Sequence, residues 1–136
     1  MRPDEIEELV RQGIESYNAR DVEASLASWD PDCEWHPFLS TEVEGAPAYR
    51  GHEGLRQWFR DTDEMFSVVA WDVEEVRDLG DDRVLVLGHI HARGRTSGAE
   101  VSSPIGHLFE LREGRVLRGW AYPSHEQALR AAGLAR

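Results

Sequence analysis

The segment PDCEWHP at residues 31–37 places a histidine and a glutamate where they could perform acid–base chemistry. His36 precedes a proline, and because that position favours extended backbone, the segment is predicted to be a short strand. On a strand Glu34 and His36 share one face, whereas Cys33 and Trp35 share the other. Since the unperturbed pKa of imidazole is about 6.5, His36 could move protons near neutral pH if its face lines a pocket. If that face meets solvent, His36 is a hydrogen-bonded residue at a strand end. We expect His36 to face the pocket and Trp35 to pack on the opposite side of the strand.

A second polar group alternates along the predicted central strand. His89, His91 and Arg93 fall on one face, where they could form a polar wall for a ligand oxygen, an exposed surface or a dimer interface. A metal site is a third interpretation, with His36 or His107 completing the His-x-His pair. The glutamate and glycine spacing of a cupin is absent, so the sequence predicts no bound metal and no cofactor. The candidate catalytic residues are His36, His89 and His91.

Several aromatic side chains are candidates for the wall of a pocket. Helical spacing puts Phe59 and Phe66 on one face, and a pocket wall in a small domain consists of core residues, so both could contact a ligand. Tyr49 lies where a loop joins a helix and could offer its hydroxyl. The candidate ligand-binding residues are Arg93, Tyr17, Tyr49, Trp58, Phe59 and Phe66. Trp120 and Tyr122 of the last strand favour a dimer interface instead.

Hydrophobic periodicity and turn signals predict the elements that position these residues. Helices are predicted at 4–19, after Asp21, at 51–66 and after Ser124, and strands at 32–36, 68–78, 83–95, 99–111 and 116–122. Helices grouped before an antiparallel meander indicate an α+β fold, with the helices on one face of a curved sheet and a cavity between the two layers. The segment at 37–50 has no clear period and is predicted to be a lid or binding loop.

Length, charge and composition exclude several classes of protein. The 136 residues suit a single domain spanning 1–136. A net charge of −11 argues against binding nucleic acid or anionic membranes. No apolar run approaches the roughly 20 residues that span a bilayer. Cys33 is the only cysteine, which excludes an internal disulfide and favours a reducing, cytoplasmic location.

Segments along nearly the whole chain resemble those of SnoaL-like proteins. They are YRGHEGLRQWF at 49–59, GRTSGAEV, GHLFELREGRVLRGWAY and EQALRAAGL. The resemblance implies the nuclear transport factor 2-like fold, a cone of helices on a bent antiparallel sheet that encloses a pocket and usually dimerises. Ketosteroid isomerase, polyketide cyclases and limonene epoxide hydrolase share this fold. The expected function is cofactor-free acid–base catalysis on a hydrophobic, cyclic or polyketide-like molecule; the alternative is a non-catalytic domain for ligand binding or dimerisation.

The resemblance implies which residues of this chain occupy the catalytic positions of the relatives. His36 falls where ketosteroid isomerase has its general base, whereas the two oxyanion donors of that enzyme fall near Gly13 and at Gly106. The isomerase arrangement is therefore incomplete in this sequence. His89 and His91 have the spacing of an arginine and an aspartate of limonene epoxide hydrolase.

The register of the hairpin around residues 96–98 decides which side chains share a pocket. If paired residue numbers sum to about 195, His89 lies opposite Gly106, whose counterpart in the isomerase points inward. One cavity would then be lined by His36, His89, His91 and Arg93. A register error of one residue would place the opposite set inside, namely His107, Phe109, Trp120 and Tyr122.

Overall fold

The computed structural model describes residues 2–37 and 47–134, which form four helices and six strands. The helices are α1 (Pro3–Asn18), α2 (Val22–Leu26), α3 (Gly51–Met65) and α4 (His125–Ala131). The strands are β1 (Trp29–His36), β2 (Tyr49–Arg50), β3 (Phe66–Gly80), β4 (Arg83–Gly94), β5 (Glu100–Arg112) and β6 (Arg115–Tyr122). The predicted order of elements is confirmed, and the short β2 is added to it. Most of the predicted loop at 37–50 lies outside the described residues.

Side-chain caps fix where two of the helices begin. The Asp21 carboxylate accepts a hydrogen bond from the Ala24 N–H at 3.2 Å, which starts α2. The Ser124 hydroxyl accepts from the Gln127 N–H at 3.1 Å and starts α4. Gly133 follows α4 with a φ of 79°, in the left-handed region that a C-terminal cap requires. No helix in the described ranges is long and apolar enough to cross a membrane.

The strands form one sheet in the order β2-β1-β6-β5-β4-β3. Neighbouring strands are antiparallel except β1 and β6, which run parallel. The long connection that a parallel pair requires is supplied by α3 and the β3–β5 meander, which lie between the two strands in the chain. In the β4–β5 hairpin Arg93 pairs with Glu100 and His89 with Pro104. This register differs by two residues from the predicted one, and a shift of two keeps His89, His91 and Gly106 on the same face as one another, as predicted.

Each face of the sheet supports a separate hydrophobic cluster. On the inner face, which α1 and α3 cover, the core includes Ile14, Trp35, Trp58, Val86, Ile105 and Phe109. On the outer face, α4 covers one end of the sheet and packs Ala128 against Leu87 and Leu108. The run VLVL at 84–87 is therefore buried on both sides of β4, which explains its continuous apolar pattern.

The predicted orientation of β1 is wrong. The strand alternates as expected, but Trp35 is the side chain that faces inward, with 1% of its surface exposed. His36 faces outward and stacks on Trp120, with the ring centroids 5.7 Å apart. Burying an indole removes far more apolar surface from water than burying an imidazole, whose nitrogens would need partners inside.

The same inversion affects the central strands. Gly106 was expected to point inward, yet a Cβ on Gly106 would lie 2.4 Å from the Cβ of Ala128, so this position faces α4 on the outer side. His89, lying on that same face, turns away from the core, as do His91 and Arg93. His107, which follows Gly106 in β5, is the side chain that faces inward, and it is 2% exposed. Of the four residues predicted to line the cavity in the alternative register, only two face the core, namely His107 and Phe109. The other two, Trp120 and Tyr122, lie on the outer face.

Candidate functional site

A cavity of about 310 Å³ lies between the inner face of the sheet and the helices α1 and α3. Six aromatic side chains line it: Tyr17, Trp35, Tyr49, Trp58, Phe66 and Trp71. A second void, of about 50 Å³, lies beside α1 and α2 and is lined by side chains such as Leu9 and Phe109. The second void is too small for a ring-containing ligand. A groove of about 610 Å³ along α1 and α2 is larger, but it is lined mainly by polar and small residues such as Glu8, Gln12 and Asp21. The aromatic cavity is therefore the candidate site.

The cavity wall contains most of the predicted ligand-binding residues. Four of the six are on it: Tyr17, Tyr49, Trp58 and Phe66. Phe59 instead packs beside Tyr17 in the core, with the ring centroids 5.4 Å apart, and lines only the small void. Arg93 lies on the outer face, where its guanidinium bonds to Glu100 at 2.5 Å. Contact between the four wall residues and a ligand stays a prediction.

Stacked rings hold the helix side of the cavity in place. The ring of Tyr17 stacks on Trp58 at 5.1 Å and on Trp71 at 4.3 Å between centroids. The guanidinium of Arg20 lies 5.0 Å from the centre of the Tyr17 ring. Burial raises the pKa of Tyr17 to about 12, so its hydroxyl is protonated at neutral pH. These contacts give the wall a defined shape.

Asp61 is the one acidic side chain among the described residues that line the cavity, and none of those residues is basic. Its Oδ2 accepts a hydrogen bond from the Tyr49 hydroxyl at 2.6 Å, and its Oδ1 accepts one from Gln57 Nε2 at 2.7 Å. These bonds, that of Tyr49 first, lower the pKa of Asp61. Burial and the neighbouring carboxylate raise the pKa of Tyr49 to about 12. At neutral pH the pair is therefore a carboxylate and a neutral phenol.

Sequence reasoning missed Asp61, although a signal was present. Asp61 is three residues after Trp58 and four after Gln57. Residues at these spacings share one face of a helix, so a carboxylate next to a wall tryptophan was predictable.

Three buried polar atoms behind and within the wall have no hydrogen-bond partner in the described ranges. They are Nε1 of Trp35, Nε1 of Trp71 and Nε2 of His107. The His107 ring lies 4.6 Å from that of Trp71 and 5.9 Å from that of Trp35, measured between centroids. Burial lowers the pKa of His107 to about 3, so its imidazole is neutral at neutral pH. Because these atoms are buried, leaving them unpaired costs stability.

The candidate catalytic histidines lie on the outer face and do not line the cavity. Each contacts a carboxylate: His36 with Glu34, His89 with Glu74, and His91 with Asp72. His36 is also separated from the other two by two strands, because β6 and β5 lie between β1 and β4. His107 faces the opposite side of the sheet, so the metal site considered as an alternative, a His-x-His pair completed by His36 or His107, is not assembled. A catalytic role for these histidines stays an untested prediction, as does the expected absence of a bound metal.

Comparison with known proteins identifies relatives of the whole fold. The family model described as SnoaL-like domain matches residues 10–119. An NTF2-like protein of unknown function from Burkholderia pseudomallei is 19% identical, with a TM-score of 0.78 over 93% of this chain and 95% of that one. TerC, co-crystallised with polyporic acid, is 19% identical, with a TM-score of 0.75 over 93% and 96% of the two chains.

A third structure, from Catenulispora acidiphila, is a hypothetical protein with a ketosteroid isomerase-like fold in complex with trimethylamine. It is 17% identical, with a TM-score of 0.75 over 93% of each chain. Likeness at this level of identity shows the fold. Among curated protein sequences, none matches this chain.

Proposed function

Because the chain belongs to the SnoaL-like family, we propose that it is a small-molecule enzyme of the isomerase or cyclase type. Its substrate is a hydrophobic, ring-containing molecule bound in the 310 Å³ cavity, and its chemistry is proton transfer. The observation that carries this proposal is the ionised Asp61 carboxylate at a cavity wall built mainly of aromatic rings. A fixed base beside a bound apolar ring is the minimum that such a reaction needs.

Asp61 is the proton acceptor in this proposal, and Tyr49 positions it. The two hydrogen bonds to Asp61 hold its carboxylate in one orientation at the cavity edge. They also weaken it as a base, because they lower its pKa. Asp61 is therefore suited to acidic C–H groups, such as those next to a ring carbonyl, rather than to unactivated ones.

The charge of the wall restricts the substrate to neutral or cationic molecules. The described residues that line the cavity include no Lys, Arg or His. Ring faces attract cations, and the net charge of −11 repels anions. The small organic molecules bound by TerC and by the Catenulispora protein support a small organic ligand in this fold.

A non-catalytic ligand-binding domain is the second candidate function. The observation that favours it is that both carboxylate oxygens of Asp61 already accept hydrogen bonds, while no histidine lines the described part of the cavity. Such a carboxylate can have a purely structural role, as the hydrogen-bond acceptor for the hydroxyl of the wall residue Tyr49.

Proton exchange on 2-tetralone, a neutral ring ketone with acidic C–H groups, tests the proposal. We expect the protein to accelerate exchange of these hydrogens for deuterium, measured by NMR in heavy water. Asp61→Asn should reduce the rate at least about 100-fold, because general base catalysis contributes factors of that order. Ketone binding, measured by tryptophan fluorescence, should persist in this variant.

His36→Ala is the matched control, since it removes a proton acceptor on the outer face. Exchange at the wild-type rate in this variant supports the inner site. Saturable binding without exchange would establish the binding domain instead. Exchange that is lost in His36→Ala but kept in Asp61→Asn would show that the chemistry occurs on the outer face.

We also propose that the protein forms a homodimer. Trp120 and Tyr122 lie on the outer face and remain partly exposed beside α4, as interface residues of a fold that usually dimerises would. Light scattering at micromolar concentration should give a mass near twice 15.5 kDa. A mass of one chain would contradict the dimer.

A further inference from the structure

Three metal-ligating side chains meet on the outer face, away from the cavity. Glu74 comes from β3, His89 from β4 and His125 from the start of α4. One potential ligand atom from each lies within 4.8 Å of the other two. The side chains of Glu74 and His89 are 50% and 38% exposed, so an ion in solution can reach them.

The backbone delivers Glu74 to this position through a β-bulge. Val73 pairs with Gly88 and Glu75 with Leu87, which leaves Glu74 as the extra residue of β3. A bulge changes the direction of a side chain relative to the regular pleat. The carboxylate of Glu74 consequently contacts Nδ1 of His89.

The hydrogen bond of His125 prepares its ring as a metal ligand. Nε2 of His125 lies 2.7 Å from the carbonyl oxygen of Gly88. A carbonyl can only accept, so Nε2 carries the proton and Nδ1 carries the free lone pair. A histidine that donates one N–H to a backbone carbonyl and offers its other nitrogen is the arrangement usual for metal-bound imidazole.

Among the described residues, His91, the neighbouring histidine on β4, lacks the second histidine that the group of Glu74, His89 and His125 contains. His91 also contacts a carboxylate, with its Nε2 2.6 Å from Asp72 Oδ2. Its other nitrogen lies 3.0 Å from the hydroxyl of Ser102, and the described part of the chain offers it no second histidine. His89 differs because the His125 ring lies 5.8 Å away, between centroids.

We propose that Glu74, His89 and His125 bind one Zn²⁺ ion, with water completing its coordination. Two imidazoles and a carboxylate suit zinc, whereas magnesium and calcium prefer oxygen ligands. Tetrahedral zinc places its ligand atoms about 3.3 Å apart, a separation that falls within the 4.8 Å limit of the three atoms. The Glu74 carboxylate and Nδ1 of His89, which are now in hydrogen-bond contact, would move apart to admit the ion. The proton between His89 and Glu74 leaves to solvent when the ion binds.

Zinc at this position would tie α4 to the sheet. The ion would join side chains of β3, β4 and α4, and a ligand that binds only the folded chain raises its stability. This proposal revises the sequence-based expectation of a metal-free protein, which considered only His36 and His107 as partners of the His-x-His pair.

Calorimetric titration of tag-free, chelator-treated protein with zinc chloride tests the proposal. We expect one equivalent to bind and the melting temperature to rise, with no binding of magnesium chloride. His125→Ala should weaken zinc binding at least about tenfold, and Glu74→Gln, which preserves the shape of the side chain, should do the same. His91→Ala is the matched control and should bind zinc like the wild type.

Absence of zinc binding to the wild type would overturn the proposal. Wild-type affinity in both His125→Ala and Glu74→Gln would do so too. If His91→Ala weakens binding as much as His125→Ala does, the ion is held elsewhere on β4 and this site is wrong.

Discussion

Replacing Trp35 with alanine is expected to lower the free energy of unfolding by about 3–5 kcal/mol. Trp35 is 1% exposed and packs against Trp29 at 5.6 Å and Trp58 at 5.2 Å between ring centroids. Truncation removes this buried surface and leaves a hole next to the inner cavity, which the surrounding rings can fill only in part. Urea denaturation followed by circular dichroism measures the loss.

Trp120→Ala is the control for this experiment. Trp120 lies on the outer face of the sheet, where it stacks on His36 and is only partly buried. We expect a smaller loss of stability than for Trp35→Ala. The reverse order would indicate that β1 has the opposite orientation, with His36 on the inner side.

The second large effect is destabilisation by acid through His107. The unfolded chain protonates this imidazole near pH 6.5, whereas burial lowers the folded-state pKa to about 3. Between these values the unfolded chain binds more protons, so the free energy of unfolding falls as the pH falls, by up to about 1.4 kcal/mol per pH unit. Below about pH 3 this group contributes no further loss.

His107→Phe should remove this contribution, because the phenyl ring does not titrate and can keep the stacking on Phe109, now 5.5 Å away. Urea denaturation between pH 5 and 7 should show a shallower slope of stability against pH than in the wild type. His91→Ala, which leaves His107 in place, should keep the wild-type slope. Equal slopes in wild type and His107→Phe would show that His107 does not control the acid sensitivity.

Local patterns were sufficient to predict the order of the elements. The capping residues Asp21 and Ser124 start helices as expected, and the alternation of Val69 and Trp71 marks a strand. These signals are local, because a cap or an alternating strand depends on residues close in sequence. The parallel pairing of β1 with β6 carries no such local signal, since the two strands are far apart in the chain.

The orientation of the sheet could not be obtained in the same way. Alternation shows that Trp35 and His36 point in opposite directions, but not which of them meets the helices. The contact of Gly106 with Ala128 in α4 settles the outer face, and it joins residues 22 positions apart. Helical spacing places Asp61 beside Trp58, but whether that side of α3 lines the cavity depends on how α3 lies on the sheet, which is likewise a tertiary property.

The central claim is that ligands bind in the inner cavity. Nitrogen-15 NMR of the five indole N–H groups tests it during titration with 2-tetralone. Trp35, Trp58 and Trp71 line the cavity, whereas Trp120 lies on the outer face and serves as an internal control. We predict saturable shifts for the three cavity indoles and none for Trp120. A saturable shift of Trp120 with the cavity indoles unmoved would contradict this account and place the ligand beside His36.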